Sequence, residues 1–143
     1  MFKDTITYVD YDDVERTETF YFNFTKSELT EFEASIPGGL ANRMAEISAA
    51  KDMPAMMKFF KSIIMKSYGE KSPDGRRFMK GENDELAKAF SETPAYDIFF
   101  QKIFMSDGYM VDFLTNIMPQ ELRDKMRPVL DDYIKKNSLP VGA

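Results

Sequence analysis

The chain has no histidine and no cysteine. Without them there is no imidazole base, no Ser-His-Asp triad and no thiolate nucleophile. A structural zinc site draws on the same two residues, so none is expected. Disulfides are excluded, which suits a reducing compartment. Long apolar runs are also missing. Ile63-Ile64-Met65 is among the longest and has lysines nearby on both sides, far short of the ~20 residues that span a bilayer. The first residues, MFKDTITYVDYDD, carry charge where a signal peptide would need an apolar core. A soluble, cytoplasmic protein with no membrane contact is the expectation. Positive charge is short as well: the net charge is −5. Arg76-Arg77 and Lys135-Lys136 are too small to form the basic face that nucleic acid rewards.

What the chain does have is apolar bulk, with 43% hydrophobic residues, 13 Phe and 11 Met. At 143 residues it reads as a single domain, able to bury roughly 70% of its unfolded surface. Residues 1–24 read as a β-hairpin, 25–137 as a helical bundle and 138–143 as a loose tail. In the first part Ile6 and Tyr8 alternate with Thr5, Thr7 and Val9. Beyond Tyr11-Asp12-Asp13, Phe20, Phe22 and Phe24 share one face. This predicts strands over 5–10 and 15–22, leaning on helices because a lone hairpin is marginal in water.

Thr25 with Glu28 three residues on is a capping box, opening a helix over about 26–35 that Ile36-Pro37-Gly38-Gly39 stops. A second helix covers 40–50, striped by Leu40, Met44 and Ile47. Asp52 caps a third, with Pro54 in its first turn. Its stripe is wide: Met53, Met56, Met57, Phe60, Ile63, Ile64 and Tyr68. Such breadth means burial on more than one side, or an exposed binding surface. Gly69 ends it, and Ser72-Pro73-Asp74-Gly75 is a turn. Further helices are predicted over 84–91, from Thr93-Pro94, after the Ser106-Asp107-Gly108 break, and from Pro119. The last keeps its stripe through Pro128, which implies a kinked helix. The fold class is therefore α+β: an N-terminal β-hairpin packed on a mainly α-helical bundle of six or seven helices.

The acidic groups offer little chemistry. Asp10, Asp12 and Asp13 could tempt a hard cation, but the glycine and glutamate of a calcium loop do not follow. Glu28 and Glu31 share a helix face, yet Glu28 already serves a cap. Pro37-Gly38-Gly39 lacks the spacing, Lys and Ser/Thr of a phosphate loop. No catalytic residue, cofactor site or metal site is assigned. Two features suit protein binding instead. Methionine is unbranched and polarizable, so it repacks around varied apolar partners. Two guanidinium groups beside an aromatic can grip a carboxylate-rich partner. The candidate partner-binding residues are Met53, Met56, Met57, Phe60, Ile64, Arg76, Arg77 and Phe78.

Several longer phrases carry a resemblance. They are Thr7-Tyr8-Val9-Asp10-Tyr11, Val14-Glu15-Arg16-Thr17-Glu18, the stretch from Phe20 to Leu29, and Ile36-Pro37-Gly38-Gly39-Leu40. Tyr68-Gly69-Glu70-Lys71-Ser72-Pro73-Asp74-Gly75-Arg76-Arg77-Phe78 and Phe90-Ser91-Glu92-Thr93-Pro94-Ala95-Tyr96 follow. In this order and wording the chain resembles the tail assembly chaperones of long-tailed bacteriophages and prophages of Gram-positive hosts. After Ser106 the likeness is only helical character and a Met-Pro pair.

The resemblance implies a non-enzymatic role in the host cytoplasm. Such proteins hold the long, apolar, helical tape measure protein soluble, recruit tail tube protein subunits, and are absent from the mature virion. A coat on a filament would favour self-association, which an exposed hairpin edge could supply. The family often makes a frameshift-extended product, and Ile134-Lys135-Lys136-Asn137 is compatible with a run of adenines. The alternative reading is a structural tail or connector component retained in the virion.

Overall fold

The computed structural model describes residues 1–137. The tail expected over 138–143 lies outside the described residues. Strand β1 (Phe2–Val9) pairs antiparallel with β2 (Glu15–Phe22), from Phe2 opposite Phe22 to Val9 opposite Glu15. The hairpin is as expected, except that β1 starts three residues earlier because Phe2 joins the buried face. That face carries Phe2, Ile6, Tyr8, Phe20 and Phe22. On the other face Thr5 bonds Thr19 at 2.8 Å and Thr7 bonds Thr17 at 2.9 Å.

Seven α-helices follow: α1 (Lys26–Ser35), α2 (Gly39–Ala50), α3 (Met53–Ser67), α4 (Glu85–Ser91), α5 (Pro94–Met105), α6 (Asp107–Ile117) and α7 (Gln120–Asn137). Their starts are the caps read from the chain. Thr25 and Glu28 form the reciprocal capping box, Asp52 accepts from the Ala55 N–H, and Thr93 accepts from the Tyr96 N–H. Helix α7 runs through Pro128 as one helix. Gly108 lies inside α6 rather than in the break: Ser106 alone ends α5 and caps α6.

One correction concerns the sheet. The polar stretch after α3 is not only a turn. It contains β3 (Tyr68–Lys71) and β4 (Phe78–Met79), which extend the hairpin into a four-stranded sheet of order β1-β2-β3-β4. The joint with β2 is short, Tyr21 opposite Gly69 and Phe22 opposite Tyr68. Gly69 is needed there for closeness: a Cβ would sit 2.6 Å from the Phe78 ring and 2.9 Å from the Met79 carbonyl oxygen. Glu15 to Thr19 have β1 as their only strand partner, so the hairpin tip projects past the rest of the sheet.

The sheet rests on helices through aromatic rings. Phe22, fully buried, stacks on Phe99 of α5 at 4.5 Å and meets Phe2, Tyr68, Phe90 and Phe113 edge-on or tilted at 5.5 to 6.1 Å. Helices α5 and α6 pack on β1, and α4 on β3. Behind them α2 joins α1, α3 and α7. Replacing Phe22 by Ala should cost about 3–5 kcal/mol in chemical denaturation, the range for emptying a large core site. Gly69→Ala should cost about 1–3 kcal/mol, because one neighbour is backbone and cannot swing away.

Lys80 ties the layers together from the polar side. Its ammonium pairs with Glu28 at 2.7 Å and donates to the Asn23 and Lys66 carbonyl oxygens at 3.2 and 2.5 Å. It also lies 5.2 Å from the Phe24 ring centre. Burial by itself would raise the Glu28 carboxyl. Lys80 and the Thr25 backbone N–H outweigh it and hold the group below its usual 4.5. A depressed carboxyl stabilises the fold fully above its unfolded value and loses that contribution as pH falls through the folded one. Glu28→Gln should therefore lower the neutral-pH melting point by roughly 3–5 °C, equivalent to about 1 kcal/mol after solvent screening. It should also flatten the fall in melting point below about pH 4.5. Melts from neutrality to about pH 3 check both.

Candidate protein-binding surface

Helix α3 divides its wide apolar stripe between two environments. Met56, Phe60 and Ile64 turn into the core, at 1%, 0% and 0% exposure. They supply packing, not surface, to the folded chain. Met53 and Met57 stay outside, at 37% and 41% exposure. Residues four apart on a helix lie along one ridge. Here that ridge reads Met53, Met57, Lys61, Met65, with Met65 half-buried. The next ridge carries Lys58, Ser62 and Lys66. Lys66 is engaged by Asp84 at 2.7 Å, while Lys58 and Lys61 have no ion pair among the described residues. A thioether ridge flanked by free ammonium groups thus faces outward, on a chain whose net charge is negative.

The ridge is anchored at its start. Tyr133 of α7 donates to the Met53 sulfur at 3.8 Å. Burial pushes the Tyr133 hydroxyl above its usual range, so it remains a donor at neutral pH. Beside the ridge, Phe60 meets Phe104 at 5.4 Å, and Phe104, Phe100 and Tyr96 continue along α5 with centroids 5.0 and 5.8 Å apart. These three α5 rings are only half-buried, and Met105 beyond them is 81% exposed. Their periodicity reads as core stripe. Only the packing of α5 against β1 and α6 shows that one flank is left over. On the other side of Lys58 lies a groove of about 710 Å³ between α1, α2 and α3, floored by Phe32, Ile36 and Phe59.

Arg76, Arg77 and Phe78 sit elsewhere. They close the β3–β4 turn, in which Asp74 accepts from Ser72 and from the Arg76 N–H, and the Arg77 N–H donates to Ser72. The Ser72 hydroxyl is the main reason the Asp74 carboxyl sits below its usual value. Both guanidinium groups are exposed and Phe78 is half-buried. Ten residues of α3 separate Met57 from Ser67, about 15 Å at helical rise. The chain then still has to run through β3. The candidates therefore fall into two surfaces and a core trio.

The other acidic groups have local work. Asp10 accepts from the Asp12 and Val14 N–H groups and from Arg16 at 2.5 Å. Arg16 above all holds its carboxyl below the usual value. Glu33 accepts from the Leu40 N–H at 2.6 Å, filling the start of α2 where a phosphate would otherwise be drawn. Among the described residues no group of three or more acidic side chains is placed to hold a metal ion. No helix among them is long and apolar enough to cross a membrane.

The fold is α+β, an N-terminal antiparallel hairpin with seven helices among the described residues. A family model described as phage tail assembly chaperone matches residues 1–138. The chain belongs to that family. No curated protein and no solved structure matches it.

Proposed function

We propose that this chain is a non-enzymatic chaperone of tail assembly that covers apolar helical segments of the tape measure protein. In this reading it acts in the host cytoplasm, hands its client to tail tube subunits and leaves before the virion matures. Family membership supports the tail assembly role. The observation that carries the rest is the α3 ridge, where Met53 and Met57 stay accessible beside a packed core. A client helix with an apolar stripe aggregates unless an adaptable surface covers it, and thioether side chains adapt at little rotameric cost. The Phe104, Phe100 and Tyr96 flank of α5 widens the patch. Arg76, Arg77 and Phe78 form a separate contact for a carboxylate-bearing partner, suited to the second hand-off.

Co-expression tests this directly. The wild-type chain should raise the soluble yield of its tape measure partner and co-purify with it. Met53→Glu with Met57→Glu should lower the melting point only modestly, because both side chains are partly in water and the one contact given up is that of Tyr133 with the Met53 sulfur. Affinity should fall roughly tenfold or more, measured by calorimetry on a soluble client fragment. Unchanged affinity in that double variant overturns the assignment of the ridge. Stoichiometric presence of the chain in purified particles overturns its release.

A further inference from the structure

Helix α3 carries three lysines and no carboxylate over Met53–Ser67, in a chain with 24 acidic and 19 basic residues. The acids around it are engaged. Asp84 holds Lys66 at 2.7 Å, Glu46 lies 3.6 Å from Arg43, and Asp52 accepts from the Ala55 N–H at 3.1 Å. Lys58 and Lys61 are exposed. No ion pair or side-chain hydrogen bond among the described residues uses either ammonium group. Neither stands in the last turn of α3, where the helix dipole favours a cation. Residues three apart are neighbours on a helix surface, and like charges set so close cost the helix stability. Nothing within the chain offsets that cost, and the pair stands beside the accessible Met53 and Met57.

We infer that the α3 ridge selects its client by charge: it takes an anionic amphipathic helix, whose apolar stripe lies along Met53, Met57 and Met65 and whose flanking Asp or Glu side chains reach Lys58 and Lys61. From Met53 to Met65 is about 18 Å at helical rise, so the ridge covers roughly three turns of client. The two kinds of side chain divide the work. Thioethers repack around differently shaped stripes, so they read the apolar sequence loosely. The ammonium groups decide which stripes are accepted, because a lysine-flanked helix would set like charges against them. Opposite charge also speeds encounter, and salt weakens that effect. That the client is tape measure protein rests on the proposed function; the charge class rests on α3 itself.

Two synthetic amphipathic helical peptides with one shared leucine stripe test it, one flanked by Glu and one by Lys. Each is titrated calorimetrically into the full chain at low and at raised salt. The Glu-flanked peptide should bind roughly tenfold tighter or more, with the advantage shrinking as salt rises. The net charge of −5 by itself favours the Lys-flanked peptide, so the expected order reports the ridge and not the whole chain. Lys58→Glu with Lys61→Glu should reverse the preference, a result that a misfolded variant cannot give. Equal affinity for the two peptides overturns the inference. So does binding of neither, a wild-type preference for the Lys-flanked peptide, or a preference that survives the charge reversal. If the peptides behave as stated but the tape measure partner neither binds nor co-purifies, the proposed function fails and the charge class stands. If that partner binds wild type and the reversed variant equally, the charge class fails and the proposed function stands.

Discussion

The fold depends on one side chain's surroundings. Phe22 is the last residue of β2, and its ring touches aromatic rings from β1, β3, α4, α5 and α6. A two-stranded ribbon has too little surface to be stable alone. Here its inner face gains four aromatic neighbours from outside the ribbon, all around Phe22. Offset and edge-on rings add to what burial already contributes. The same ring aligns the short β2–β3 joint, because Tyr68 is both its strand partner and its packing partner. Once β3 is placed, Gly69 lets Phe78 close over it, and the β3–β4 turn with its two arginines is set.

Helix positions were legible because their causes are local. A cap is two residues talking across one turn, and Thr25, Asp52 and Thr93 each do so as read. The hairpin was legible because alternation has a period of two. Strands β3 and β4 were not. Tyr-Gly-Glu-Lys and Phe-Met are too short to alternate, and only pairing, of β3 with β2 and of β4 with β3, makes them strands. Gly108 misled for the opposite reason: its freedom to break a helix goes unused because Ser106 caps α6 one step earlier.

The candidate surface was half legible. Its helix was identifiable from methionine density. Which members of the stripe face inward was not, since a stripe covering more than half a helix has no unique outward edge. Met56, Phe60 and Ile64 are chosen for the core by neighbours far along the chain, such as Phe104 against Phe60. The role of Asp10 shows the same limit. Three nearby aspartates suggest shared chemistry, yet Asp10 is consumed by its own turn and by Arg16, while Asp12 and Asp13 are left to solvent.

The sorting of rings from thioethers bears on why such a surface is tolerable. Of the 13 Phe, none is exposed; of the 11 Met, Met1, Met53, Met57 and Met105 are. Both residue types are apolar, so hydrophobicity alone does not separate them. Rigidity does. A phenyl ring needs a shaped socket to recover its contacts, and the sheet–helix interface supplies that socket. A thioether chain can lie along its own helix when alone and re-extend when a partner arrives. Exposing methionine rather than phenylalanine leaves a smaller, softer and less aggregation-prone patch. Lys58 and Lys61 set positive charge with no ion pair among the described residues beside that patch. The buried core closes without the four exposed methionines.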